Sequence, residues 1–266
     1  MLQRTLPAGF ILPCLPTKTD RLPSGGQWLH EIKHDGFRII ARKDGERVTL
    51  YSRPGNDFTR RFPPIARALT HLRCRSCIID GEAVICDDNG VSSFDHIRYR
   101  RNFDVFLYAF DLIELNSDDL RRDPLDVRKA TLRSVLTKIG HGIRWNEHIE
   151  GDGTIIFRHA CKLGLEGIVS KRKDSLYCSG RSPDWLKMKN PACSAVKREA
   201  EEDWERWRIQ CGLTQNFDIA LASVCKLDDL VNDHFISEVG GAVNSRTGGF
   251  ESYAHETGGH NSCDMP

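Results

Sequence analysis

Apolar and polar positions alternate with a period of two from Trp28 to Arg53, in two runs joined at Asp44-Gly45, and this pattern predicts a β-hairpin. Within it Ile39 and Ala41 share one face, while Arg38, Ile40 and Arg42 share the other. The period then changes. Ile65, Leu69 and Leu72 recur at helical spacing over residues 62–72, with Pro63 and Pro64 confined to the first turn, where a missing N–H is tolerated. Strands are predicted over residues 78–86 and 103–113, and helices over 127–139 and 154–163, the second stopped by Gly164. Short strands follow at 168–171 and 185–189, flanking the loop KDSLYCSGRSPD.

Composition divides the chain further. Residues 1–27 are rich in Pro and Gly and read as an extended lead-in to a domain spanning 28–192. After Pro191, Val196, Ala200, Trp204 and Trp207 recur at helical spacing, giving a helical tail over 193–234. Residues 235–266, rich in Gly, Ser and Asn, are expected to be poorly ordered. The fold class predicted is α+β, with antiparallel sheets flanked by helices and followed by that tail.

The 266 residues carry a net charge of only +1. The total conceals an asymmetry. Through residue 196 there are 32 Lys and Arg against 24 Asp and Glu, a net +8; residues 197–266 hold 6 against 13, a net −7. A basic body favours polyanions such as nucleotides and nucleic acid. Neither a run of eighteen apolar residues nor a secretory leader is present, so the expectation is a soluble, cytoplasmic protein with no membrane partner. The ten cysteines are scattered and read as reduced thiols. His71, Cys74 and Cys77 have zinc-like spacing, but a structural site needs four ligands and only Cys86 is near, so this segment is read as a surface turn.

The segment Glu31-Ile-Lys33-His-Asp35-Gly36-Phe-Arg38 places an amine at the end of one strand and a guanidinium on the next, with room for a phosphate between them. Downstream stand Ser52-Arg53, Asp80-Gly81-Glu82, Phe110, Glu166-Gly167, and Lys187 with Lys189, the last two on one strand face. An amine among cations is pushed toward its neutral form, and Arg38, Arg53, Lys187 and Lys189 are the cations expected around Lys33.

In this order, over roughly residues 8–192, the segments resemble the six collinear motifs of the nucleotidyltransferase (adenylation) domain of ATP-dependent DNA ligases. SRPGNDFT and EGIVSKR most resemble the bacterial ligase D type. The resemblance implies an ATP-grasp-like domain in which Lys33 attacks the α-phosphate of ATP and AMP passes to the 5′-phosphate of nicked DNA, in repair and recombination. It further implies that Phe110, or second to it Tyr108, stacks on adenine, that Glu31 accepts from the adenine amino group, and that Arg38, Arg53, Lys187 and Lys189 surround the nucleotide. Glu166 is the implied carboxylate for Mg²⁺ or Mn²⁺, and Glu82 contacts the ribose or the metal. Arg98, Arg100 and Arg101 are either DNA-phosphate contacts or a solvated loop.

The implied partners are nicked or broken duplex DNA and either a DNA end-binding protein such as Ku or a separate OB-fold protein, with location at the bacterial nucleoid when on DNA. Residues 193–266 lack the closely spaced strand signals of the OB-fold domain that completes such ligases. Two other readings stand beside the ligase: a catalytically weak or inactive DNA-end-binding scaffold, and an RNA nucleotidyltransferase.

Overall fold

The computed structural model describes residues 9–99, 104–137 and 139–210. Two sheets face each other. The first has the order β1 (Cys14–Lys18), β11 (Gly180–Lys189), β10 (Gly167–Arg172), β2 (Trp28–Ile32), β9 (His148–Ile149). The second runs β4 (Arg47–Ser52), β3 (Phe37–Asp44), β5 (Ser76–Val84), β6 (Phe106–Leu115), β7 (Asp118–Asp119), with β8 (Ile143–Trp145) beside β6. Pairing is antiparallel except for β1 with β11 and β6 with β8. The helices are α1 (Pro63–Thr70), α2 (Phe94–Tyr99), α3 (Leu125–Leu136), α4 (Gly153–Lys162) and α5 (Ser194–Gln210).

The hairpin expected from Trp28 onward is corrected in one respect that matters for function. Its first run is two strands in different sheets: β2 ends at Ile32, the chain crosses over Lys33–Gly36, and β3 begins the second sheet. Alternation continues through both strands, so periodicity alone does not reveal the crossing. Gly36 permits it, because a Cβ there would lie 2.2 Å from the Ala83 carbonyl oxygen. The β3–β4 hairpin does form, turning at Gly45-Glu46 with Gly45 at φ +58°, the first-position glycine of a tight two-residue turn.

The strand faces explain the two cores. Ile39 and Ala41 pack with Phe62, Ile65 and Leu69 of the α1 region and Leu132 of α3, whereas Ile40 joins Leu29, Phe110, Tyr177 and Trp185 between the sheets. On β6 the alternation is reset: Leu107, Ala109 and Leu112 face the first core, Phe110 and Ile113 the second. Register shifts opposite Ile78/Ile79 and Asp80/Gly81 account for the reset.

Other departures have local causes. The lead-in contains β1, an edge strand whose pairing extends β11 back to Gly180, so the loop expected over 173–184 shortens. Asp152 caps α4 by accepting from Thr154 and Ile155, and Gly164 ends it at φ +71°. Cys77 is buried in the core on β5 and is not part of a surface turn; His71 Nδ1 lies 2.8 Å from the Arg67 carbonyl oxygen. Among the described residues no cluster of three or more His, Cys, Asp or Glu side chains is arranged to hold a metal. On α5 Ala195 is buried and Val196 and Arg198 are half-buried, whereas Ala200, expected on the apolar face with Val196, is exposed. The expected disorder over 235–266, most of the helical tail, and Arg100 and Arg101 lie outside the described residues.

Candidate active site

A cavity of about 350 Å³ lies between the two sheets, and α2 and α5 contribute to its rim. Glu31, Lys33, Arg38, Arg53, Glu82, Phe110, Glu166, Lys187 and Lys189 all reach its lining. Strand register explains the convergence. Glu31, Val169 and Lys187 lie in one row across β2, β10 and β11, and Gly167 pairs with Lys189 in the next row on that face. The Lys33 amide N–H donates to the Gly167 carbonyl at 3.0 Å, carrying the pairing one step past β2 and bringing Lys33 beside Glu166. Gly167 sits at φ +147°, where a Cβ would lie 2.1 Å from the Met188 carbonyl oxygen.

The ionic groups of the cavity meet at Lys33. Its Nζ donates to Oε1 of Glu166 in a short ion pair. Glu166 is buried, its Oε2 has no hydrogen-bond partner among the described residues, and burial raises its pKa against the opposing pull of Lys33. Glu82 is half-buried and pushed up to about 7, chiefly by desolvation, with Glu166 and Asp80 opposing the effect of Arg38 and Lys33. An orphaned carboxylate oxygen beside a second carboxyl group fits a hard divalent cation, which needs only one or two protein oxygens when phosphates and water supply the rest.

Several expected roles change. Arg38 was expected to meet a phosphate, but its Nε and Nη2 pair with Asp80 at 2.5 and 2.7 Å, and Nη2 also donates to the Cys14 carbonyl. Tyr177 donates to the same Asp80 at 2.7 Å, so Arg38 ties the two sheets together. The charge nearest the Lys33 amine is therefore an anion, Glu166, where a field of cations was expected. Arg53 is exposed at the rim.

Glu31 is 2% exposed, and both its oxygens are engaged: Oε1 accepts from Lys129 at 2.6 Å, Oε2 from Lys171 at 2.8 Å and Asn146 at 3.1 Å. It is a buried anchor where an acceptor for adenine was expected. Phe110 lies at the cavity wall with Lys171 Nζ 4.2 Å from its ring centre, while Tyr108 stacks on His34 at 3.9 Å and is not among the cavity-lining residues. Arg98 lies on α2 and pairs with Glu202 of α5 at 3.0 Å, an intramolecular contact.

Sequence reasoning missed Lys129, Asn146, Lys171 and Arg198. Lys171 alone left a signal, since it stands inside EGIVSKR two residues after Val169 and so on the same strand face.

The family model described as ATP dependent DNA ligase domain matches residues 17–189. The chain belongs to that family. It is 35% identical over 185 residues to the multifunctional non-homologous end joining protein LigD of Pseudomonas aeruginosa, covering 68% of this chain and 22% of that protein. A DNA ligase of Thermococcus fumicolans is 32% identical over 187 residues, covering 63% and 33%. The crystal structure of the ligase domain of M. tuberculosis LigD superposes with a TM-score of 0.60 at 33% identity, covering 67% of this chain and 59% of that one. A mycobacterial DNA ligase D complexed with ATP and MES gives the same TM-score at 32% identity. This ligase-family chain thus spans about a fifth of the LigD proteins it matches and about three fifths of the solved ligase domains. Among the described residues no helix is long and apolar enough to cross a membrane.

Proposed function

We propose that the cavity binds ATP and that Lys33 becomes covalently adenylylated, with AMP then passed to the 5′-phosphate of a DNA nick. The observation that carries this reading is the grouping, in the lining of one cavity in a DNA ligase fold, of Lys33, the unsatisfied Glu166 Oε2, Glu82, Lys187 and Lys189. Lys33 Nζ forms the new P–N bond and the pyrophosphate leaves. Attack requires the neutral amine, and Glu166 Oε1, already bonded to Nζ and made more basic by burial, is the acceptor for its proton. Phe110 and Trp185 form the apolar wall for the base, and Lys187 and Lys189 face the phosphates. Glu166 and Glu82 would hold a divalent cation, which supplies charge stabilisation at the reacting phosphate.

The DNA substrate, a role in break repair, and partners such as Ku or an OB-fold protein acting in trans belong to this same proposal. Its support is the likeness to LigD together with the basic body. Incubation with α-labelled ATP and Mg²⁺ tests it: wild type is expected to retain label through denaturation, and Lys33→Ala and Lys33→Arg to retain none, the arginine because it stays charged at any workable pH. An unlabelled wild type overturns the reading, and labelled Lys33→Ala moves the nucleophile elsewhere. Nick sealing on the same preparation, with and without added end-binding protein, separates adenylylation from complete ligation.

A further inference from the structure

The segment from Glu31 to Asp35 lays out the cavity as an axis. At one end Glu31 holds Lys171, whose Nζ lies 4.2 Å from the Phe110 ring centre and 4.1 Å from that of Trp185. Lys33 follows, paired with Glu166. At the far end Asp35 accepts two hydrogen bonds from Nη2 of Arg198, at 3.0 and 2.9 Å. Glu31 and Asp35 are four residue steps apart, at most about 14 Å, so base wall, nucleophile and Arg198 succeed one another over the length of a single extended ligand.

Arg198 is the half-buried residue that α5 presents to this cavity beside Ala195. Its guanidinium is fixed on three sides. Asp35 takes one nitrogen, Asp95 lies 3.4 Å from Nη1, and the Phe94 ring centre lies 5.0 Å from Cζ. Glu202, one turn further on, ties the same helix to Arg98 of α2 at 3.0 Å. A guanidinium has five N–H bonds, and the Asp35 pair uses those of Nη2. Arg38, the other arginine with a half-buried side chain in the lining, is committed to Asp80 and Cys14.

We propose that Arg198 is a binding residue for the β- and γ-phosphates of the nucleotide, making α5 the element that closes the phosphate end of the site in cis. The inference rests on the ATP reading above. A base held at Phe110 and an α-phosphate at Lys33 send the remaining phosphates toward Asp35 and Arg198, away from the nucleophile. Asp35 and Asp95 orient the fork, and the polyphosphate meets the N–H groups they leave.

AMP and ATP distinguish this role from a helix staple, because AMP lacks the two phosphates concerned. In a full-chain Lys33→Ala background, where no covalent step intervenes, both nucleotides are titrated by calorimetry with and without Arg198→Ala. ATP affinity is expected to fall about tenfold, the loss of one charge-assisted contact, with AMP affinity unchanged and so reporting an intact fold. Arg198→Lys is expected to restore part of the preference for ATP. An unchanged ratio of ATP to AMP affinity in Arg198→Ala overturns the proposal while leaving the adenylylation reading standing. Failure of the parent chain to bind ATP, with an unlabelled wild type, removes both.

Discussion

Two parts of the cavity lining, around Glu31 and around Lys33, treat buried charge in opposite ways. Around Glu31 the ionic groups are saturated: the carboxylate takes Lys129, Lys171 and Asn146, and Asn146 Oδ1 lies 3.0 Å from His34 Nε2. Nearby, Arg128 pairs with Asp111 through two bonds of 2.8 and 2.9 Å, with both side chains fully buried. Around Lys33 the pattern is incomplete. Among the described residues Glu166 keeps an oxygen without a partner, and Glu82, its pKa pushed up to about 7 chiefly by desolvation, keeps its carboxyl largely protonated below that pH. A satisfied network resists change and serves as scaffold, whereas an unsatisfied one holds free energy that a bound ligand can recover.

The sharpest way to break this contrast is to unbalance the saturated part. Glu31→Ala leaves Lys129 and Lys171 buried without their counterion, and is expected to lower unfolding free energy by about 3–5 kcal/mol in a denaturant titration. A loss below about 1 kcal/mol would show that this part is not a scaffold.

The same network makes an acid-sensitive element. Burial depresses the His34 pKa to about 4 from 6.5, so between those values the unfolded chain binds the proton and the folded chain does not. The contribution of His34 is therefore present above pH 6.5 and is lost as pH falls toward 4, amounting to of order 3 kcal/mol. His34→Gln is expected to flatten the stability profile over that window, and an unaltered profile would remove His34 from the network.

Gly36→Ala probes the crossing between the sheets. The added Cβ meets the Ala83 carbonyl oxygen, which cannot rotate away, and a loss of about 2 kcal/mol is expected from thermal unfolding, together with reduced AMP labelling because Lys33 sits on the same crossing. Wild-type behaviour in both would show that the crossing tolerates a shift.

The smallest effect on stability belongs to the open part. Glu166→Gln is expected to change unfolding free energy by less than about 1 kcal/mol, since the ion pair it removes is partly solvated on the lysine side and its own charge is penalised by burial. Covalent AMP should nevertheless fall steeply. Normal labelling with a normal Mg²⁺ titration would take Glu166 out of the site.

Much of the site was legible because each motif carries its own local geometry. Two lysines spaced by two on one strand share a face wherever that strand is placed, and Gly164 and Pro63 mark helix ends without tertiary help. Ion pairing was not legible. Arg38 and Lys33 look alike in sequence as cations flanking a turn, yet one is matched by Asp80, 42 residues away, and the other by Glu166, 133 residues away. Which carboxylate meets which cation depends on register between strands distant in sequence.

The sequence by itself determined the family, through the resemblance of its motifs, together with the order of those motifs and the motif residues that reach the cavity. Only the tertiary structure decided what each charge does there. The crossing at Lys33–Gly36 puts β2 and β3 in separate sheets, the packing of those sheets buries Glu31 and leaves Glu166 half satisfied, and α5 brings Arg198 to the rim. Electrostatic role is a property of distance and desolvation, and both are set by which chain segments pack together.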